Sequence, residues 1–375
     1  MDPLLWLVLP GCAIWTAILL VPWRPWSTQS SFDAEIPLTL PDLSDVTVLI
    51  PARNERNEIQ RTLHSLAGQG RNLRVVLVDD QSTDGTAEAA RQCGLHELSI
   101  VNGEPLPPDW TGKLWALEQG LRDVHSVLVL QLDADIELLP GTVAGLREQM
   151  QNRDLGLISL MARLTMDSPW ERALMPAFVY FFRLLYPFQL SNSRFKLVAA
   201  AAGGCILLRT DILRQMGGYS ALKGALIDDC TLARKVKDLG HRTWIGLTHS
   251  AISHRAYGDL GSVWEMVART AFTQLRHSVV LLLLCTGMMA AAFLLPVMAL
   301  GQSGITQVVG AGTLVLMAIS YLPTLRYYDV PFVWAITLPL AGMLYLLMTW
   351  TSAWRHWAGT GARWKERNYA NKTVG

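Results

Sequence analysis

The sequence predicts an α/β domain on an open, mostly parallel sheet, held between membrane-spanning helices. Three observations carry that expectation. Short β-rich runs alternate with helix-like stretches between residues 46 and 132, charge is concentrated mid-chain, and long uncharged apolar segments lie at both ends. Of 32 Lys and Arg and 31 Asp and Glu in 375 residues, all but nine fall between residues 24 and 277. With 17% charged and 51% hydrophobic residues, the chain is more apolar than a usual soluble domain. That composition excludes a disordered, collagenous or disulfide-scaffold protein. A net charge of +1 gives no support for nucleic-acid binding, and no obligate protein partner is indicated.

Residues 3–23 run 21 positions without a charge, long enough to cross a hydrocarbon core of roughly 30 Å. A cleaved signal peptide would carry a basic start and a small-residue cleavage site. Neither is present, so an anchor is expected, with Trp23 and Trp26 beside Arg24 as an interfacial belt.

The water-facing domain is expected over 44–260. Residues 46–51 (VTVLIP) form a short strand, and Ile59, Leu63 and Leu66 share one face of the helix that follows. Residues 73–78 (LRVVLV) and 127–132 are continuously apolar, as strands covered on both faces are. Asp84 suits the start of a helix over 85–92, residues 99–101 make a third strand, and a helix over 113–122 leads into the fourth. In such sheets ligands bind beyond the carboxyl ends of the strands. Pro51–Glu55, Asp79–Asp80 and Asp133–Asp135 all fall at such ends, so three polar clusters are expected on one rim.

Residues 261–277 link the domain to a C-terminal apolar region, 278–352, long enough for about three spans, with a turn near residues 301–304. A basic tail occupies 353–375. Arg24 and the basic residues near 269–276 place the domain on the cytoplasmic face of the inner (plasma) membrane. Three spans would then leave the tail on the far side, so either one segment is re-entrant or interfacial, or the tail departs from the rule. Cys12, Cys93, Cys205, Cys230 and Cys285 show no paired spacing, which fits a reducing compartment and neither a zinc site nor a disulfide framework. Residues 174–190 are dense in aromatics with Arg183 as their one charge; they suit either a core helix or an interfacial helix lining the way in for a lipid.

The carboxylates limit the chemistry. Alternate side chains at a strand end point the same way, so Asp133 and Asp135 can share one magnesium or manganese ion bridging diphosphate oxygens, with Glu137 as a further ligand. A D-x-D tripeptide in an exposed loop is common; its place after a buried strand favours the metal. Asp79 and Asp80 suit a turn, or a base-binding carboxylate. Lys113 suits a solvated helix start, or a phosphate contact. Asp228 and Asp229 open a helix, where the dipole favours acids in any case; the sharper alternative is a general base acting on a hydroxyl. Gly203, Gly204 and Cys205 follow a run of alanines and would let backbone approach an acceptor closely. His254 is either an ordinary surface histidine or a neighbour of the metal.

Together these pieces resemble the family 2 glycosyltransferases of GT-A nucleotide-sugar fold, over about residues 44–277. The marks are residues 50–55 (IPARNE), 78–86 (VDDQSTDGT), Gly112-Lys113, Asp133-Ala134-Asp135, and 228–232 (DDCTL) in place of the family's E-D-x-x-L. The resemblance implies that Pro51, Arg53 and Glu55 surround the nucleoside and that Asp79 and Asp80 hold base or ribose. It implies Asp133 on ribose or metal, Asp135 as the main metal ligand, and Asp229 as catalytic base. The layout is similar to hopanoid-associated glycosyltransferases, with ceramide and carotenoid glycosyltransferases as wider relatives. Residues 364–367 (WKER) resemble their W-K-G-R tail. Processive members carry Q-x-x-R-W; residues 273–277 (TQLRH) depart from it, which implies a single transfer of one sugar from a nucleotide-diphospho-sugar to a membrane lipid. Arg276 would then contact diphosphate. A binding scaffold without turnover is the alternative class. A transporter is disfavoured, because no ionisable residue interrupts the apolar runs.

Overall fold

Val46–Ala52 (β1) is buried along its whole length, and its alternating side chains feed two different cores. The computed structural model describes residues 3–225 and 227–359, with the backbone alone of 362–364 and 367–369. Two compact units result: Ser30–Leu164 with Phe188–Arg255, and Met1–Gln29 with Thr165–Pro187 and Ala256–Gly375. The first unit therefore starts earlier than expected and gives up residues 165–187 to the second.

In the first unit β1 is followed by α1 (Arg56–Ala67), β2 (Arg74–Asp79), α2 (Thr86–Arg91), β3 (Leu98–Asn102), α3 (Gly112–Leu121), β4 (Leu128–Leu132) and β5 (Ile136–Leu138). Then come α4 (Thr142–Arg153), β6 (Leu155–Arg163), β7 (Cys205–Arg209), the helix α5 (Asp228–Asp238) and β8 (Arg242–Ser253). The eight strands lie in the order β3-β2-β1-β4-β7-β6-β8-β5. β3, β2, β1 and β4 are parallel, as the alternating pattern predicts. β7 runs antiparallel to both β4 and β6, and β5 antiparallel to β8, so the sheet is mixed. The reason it was not visible is that β7 is buried nearly throughout, and a strand covered on both faces has the same apolar run in either direction.

Val46, Val48 and Ile50 pack with Ile59, Leu63 and Leu66 of α1 on one face. Leu49 packs on the other with Leu114 and Leu117 of α3 and Leu232 and Val236 of α5. Helices thus cover both faces, and the site is confined to the strand ends. Register sets those ends level: Ala52 pairs with Asp79 and Asp79 with Asn102. Asp84 does more than begin α2. Its carboxylate accepts Thr86 N at 3.0 Å and Arg56 N at 3.0 Å, so it ties the starts of α2 and α1 together.

Among the described residues of the second unit four helices are long and apolar enough to cross a membrane: Pro3–Leu20, Val279–Ala299, Ile305–Tyr327 and Phe332–Trp357. That matches the four expected stretches. The aromatic Pro169–Leu185 helix is packed among the helices of this unit. Tyr180 stacks on Trp15, Phe181 meets Phe293 and Tyr345 edge-on, and Arg183 is buried on Thr324 Oγ1 and Ser27 O. It is a core helix, with Trp170 and Leu185 left exposed. Lys365 and Glu366 of the tail lie outside the described residues.

The start of that helix is a capping box: Ser168 Oγ accepts Glu171 N, and Glu171 accepts Ser168 N in return. Glu171, only 2% exposed, also accepts Asp167 N, Thr165 Oγ1 and Tyr257 N. Glu171→Ala leaves four donors without their acceptor, and loss of a buried partner costs about 1–3 kcal/mol. Thermal unfolding of the detergent-solubilised chain should show a clear fall in midpoint, smaller for Glu171→Gln. An unchanged midpoint would contradict the role of this cap.

Candidate active site

The rim begins where β1 and β2 end. Asn54 and Gln81, with φ of 51° and 58°, take the left-handed turn out of their strands, a conformation that Asn tolerates better than most residues. The two loops are stitched together: Asn54 N donates to Ser82 Oγ, Thr83 N to Asn54 Oδ1, and Glu55 N to Thr86 Oγ1. Arg53 donates to Asp80 O at 2.6 Å and Gln81 O at 3.2 Å. Asp79 Oδ1 accepts Ser82 N, so this carboxylate does hold the turn. Asp80 is fully buried. A Cβ at Gly103 would come within 2.8 Å of Asp79 O and 3.0 Å of Asp80 Cα, so glycine is what lets β3 leave this edge.

The second cluster follows β4. Thr62 Oγ1 donates to Ala134 O and fixes the turn. Antiparallel pairing of β5 with β8 then sets Ile136 opposite Ser253, and His254 N donates to Asp135 O. Ser253 Oγ and Arg255 Nε both bind Asp135 Oδ2, at 3.1 and 3.2 Å, while Arg255 Nη2 reaches Glu55 Oε1 at 3.0 Å. Arg255 thus joins the two loops. Glu137 is drawn off to His254 Nε2 at 2.6 Å and borders an outer depression with Arg61 and His64 of α1.

The third cluster is joined to the second by Lys113. Thr111 caps α3, and Lys113 in its first turn binds Asp133 Oδ1 at 2.6 Å and Gly203 O at 3.2 Å. Gln131 Nε2 also donates to Gly203 O. Gly203 N in turn donates to Asp229 Oδ2 at 2.9 Å. Asp228 and Asp229 are the first two residues of α5. Burial, then the charge of Asp228, pushes the Asp229 carboxyl up to about 6, against the pull of its N–H donors and Lys113. Burial works against the Lys113 charge, but Asp133, Asp228 and Asp229 outweigh it and hold the ammonium up at about 12. Burial raises Asp133 as well, offset chiefly by Lys113.

Contacts link Glu55, Arg255 and Asp135 on one side and Asp133, Lys113, Gly203 and Asp229 on the other, and the two sets meet in the tripeptide Asp133-Ala134-Asp135. Pro51 is the last residue but one of β1, and Gly204 O accepts Asp133 N. Cys205 is set inside β7, and burial pushes its thiol up to about 12. Arg276 belongs to the helical unit. Sequence reasoning missed Arg255, Ser253, Gln131 and Gly103; residues 242–253 (RTWIGLTHSAIS) are too polar to announce the strand whose end carries Ser253 and Arg255.

Asp133 and Asp135 offer the hard oxygens that suit magnesium or manganese. Asp133 Oδ2 and Asp135 Oδ1 accept no hydrogen bond among the described residues. No group of three or more His, Cys, Asp and Glu side chains there gathers as a cage. An ion would draw its other ligands from diphosphate and water, the ordinary manner for magnesium, so the donor set fits.

Residues 47–217 match the family model described as "Glycosyl transferase family 2". The chain carries a family 2 glycosyltransferase domain. A 4,4'-diaponeurosporenoate glycosyltransferase of Staphylococcus haemolyticus (strain JCSC1435) is 35% identical over 96 residues, 25% of this chain and 24% of that protein. Its counterpart in Staphylococcus aureus (strain USA300) is 35% identical over 94 residues, with the same shares. The matches thus span about a quarter of these relatives' length. The mannosyltransferase PcManGT from Pyrobaculum calidifontis, solved in complex with GDP-Man and Mn2+, superposes with a TM-score of 0.55 at 20% identity, covering 91% of this chain and 99% of that one. The family 2 domain has the GT-A fold. Asp229 and Arg255 lie beyond the matched residues 47–217, and the geometry alone ties them to the family 2 rim.

Gly203 is the point of that rim at which Lys113 and Asp229 meet. A Cβ there would sit 3.3 Å from Lys113 Nζ and 3.4 Å from Asp229 Oδ2. Gly203→Ala should push the Lys113 ammonium back slightly while Asp229 Oδ2 stays at ordinary contact distance, and lower sugar transfer by up to about tenfold, with thermal stability little changed. Undiminished transfer would show that the spacing of Lys113 and Asp229 is not critical.

Proposed function

We propose that the chain is a membrane-bound, inverting and non-processive glycosyltransferase. It moves one sugar from a nucleotide-diphospho-sugar, uridine-linked, to a hydroxyl of a membrane lipid at the cytoplasmic face. The observation that carries this is Asp229. A carboxylate at a helix start, held by two N–H donors and raised toward 6, lies one glycine away from the lysine that holds the D-x-D aspartate.

Asp229 takes the proton of the acceptor hydroxyl as its oxygen attacks the anomeric carbon. The bond from that carbon to the diphosphate oxygen breaks, and its electron pair leaves with the nucleoside diphosphate. Lys113, already surrounded by carboxylates, keeps a full positive charge at any working pH and can turn from Asp133 to a diphosphate oxygen. Asp135, with Asp133, would hold a magnesium or manganese ion, which supplies charge neutralisation for the diphosphate. Pro51, Arg53 and Glu55 frame the nucleoside, Asp79 orients base and ribose, and the buried Asp80 backs that turn. The acceptor is an apolar lipid: the named relatives act on the carotenoid acid diaponeurosporenoate, and hopanoids and sphingoid lipids are the other members of the panel to test.

Purified protein offered labelled UDP- and GDP-sugars with such a panel should yield one labelled lipid. Absence of both transfer and donor hydrolysis would favour a binding scaffold. Asp229→Asn should retain donor binding and lose transfer by about 10²–10⁴-fold. Because the Asp229 carboxyl holds its proton up to about pH 6, the base is unavailable below that value, so wild-type transfer should fall as pH drops through 6. A flat profile between pH 5 and 8, a range spanning that value, or retained transfer in the variant, would remove Asp229 from this role. Asp135→Ala should weaken donor affinity and the response to manganese together, read by calorimetry as well as turnover; an unaltered manganese requirement would count against Asp135.

A further inference from the structure

Residues 194–197 leave the usual pattern of the first unit. Phe195 is 46% exposed and Leu197 73% exposed, and Arg194 and Lys196 alternate with them on the surface. Exposed apolar side chains on a loop are ordinary when the loop is slack. This one is clamped. Arg234 of α5 donates to Lys196 O and to Leu197 O, and Lys237, one turn on, donates to Phe195 O at 3.1 Å and Val198 O at 2.7 Å. Ser193 Oγ accepts Phe195 N. Four successive carbonyls are thus turned toward one helix and held by two cations. Their side chains are forced outward, and the ordering entropy is already spent before anything binds.

We propose that Arg194–Leu197 is a bilayer-contacting loop, with Phe195 and Leu197 in the boundary between headgroups and acyl chains and Arg194 and Lys196 on anionic phosphates. Alternating basic and apolar residues are complementary to an anionic lipid surface, which presents both an apolar boundary and negative charge. They are less suited to a protein groove, where buried lysine is unfavourable. A bilayer is also always at hand: the same chain holds four helices able to cross one. Arg194 follows Pro187, where the chain leaves the helical unit, by seven residues, a reach of at most about 25 Å.

The loop is bound to the catalytic rim in two ways. Residues 199–203 continue from it directly to Gly203, whose N–H holds Asp229. Arg234 and Lys237 sit on the same helix that Asp228 and Asp229 begin. A lipid surface contacted at Leu197 is therefore connected by rigid elements to the proposed base. The contact itself does not depend on the proposed transfer.

The test uses the full chain in nanodiscs, with the part-exposed Cys12, Cys93 and Cys285 replaced by alanine. An environment-sensitive nitrobenzoxadiazole probe is placed at Leu197→Cys, and at Arg91→Cys on α2 for reference. The probe at 197 should emit blue-shifted and be quenched by lipid carrying a doxyl group near its headgroup, more strongly in phosphatidylglycerol-rich discs than in pure phosphatidylcholine. Arg194→Gln with Lys196→Gln should abolish the phosphatidylglycerol preference, and the probe at 91 should stay unquenched. Water-like, unquenched emission at 197 overturns the proposal. So does blue-shifted emission without quenching, which marks a protein cover, and so does equal quenching in both lipids. Asp229→Asn protein should show the same quenching as its parent, so failure of the bilayer contact and failure of the transfer reaction are read separately.

Discussion

The ion pair of Lys113 with Asp133 is the interaction on which the rest of the site depends. It joins the first turn of α3 to the end of β4, and through Gly203 it extends to α5. Taking two charges out of water costs more than their attraction usually returns, so such a pair is weak evidence for stability. Its value here is positional. One cation is shared among Asp133, Gly203 O and the fields of Asp228 and Asp229, and it connects the D-x-D turn to the proposed base. A lysine so placed has anionic company before any ligand arrives, and exchanging a carboxylate for a diphosphate oxygen keeps its charge balanced.

The second constraint is backbone pairing. Without the short antiparallel contact of β5 with β8, Ser253, His254 and Arg255 would have no reason to lie beside Asp135. Arg255 then balances Asp135 and Glu55. Asp133 is matched by Lys113, Asp135 and Glu55 by Arg255, and Asp79 by the N–H of Ser82, which lets these acids coexist on one edge. Asp229 also has two N–H donors, but burial and the charge of Asp228 outweigh them, and a group whose charge is that costly is suited to accepting a proton.

Much of this was legible from the residues. The strand ends at Pro51, Asp79 and Leu132 were visible because continuously apolar runs stop abruptly at polar clusters, and that change is dictated by burial. The face of α1 followed from Ile59, Leu63 and Leu66. What was not legible depended on pairing across long separations. The direction of β7 leaves no mark in an apolar pentapeptide, and Arg255 gains its importance only when β8 meets β5, some 117 residues earlier in the chain. Glu137 looked like a third metal ligand by spacing alone; its partner His254 comes from that same distant pairing. The aromatic helix after residue 168 was ambiguous because a stripe of Phe and Tyr suits a bilayer boundary and a helical core equally, and only Trp15, Phe293 and Tyr345 decide for the core.

The central claim is that the acidic clusters act on one diphosphate with Lys113 between them. The most direct measurement is a cryo-EM map of the full chain with a nucleoside diphosphate and manganese. The account requires the diphosphate within hydrogen-bond reach of Lys113, the metal on Asp135, and the Asp229 carboxylate facing the same space. Nucleotide density elsewhere, or Lys113 still closed on Asp133 with nucleotide bound, would contradict it.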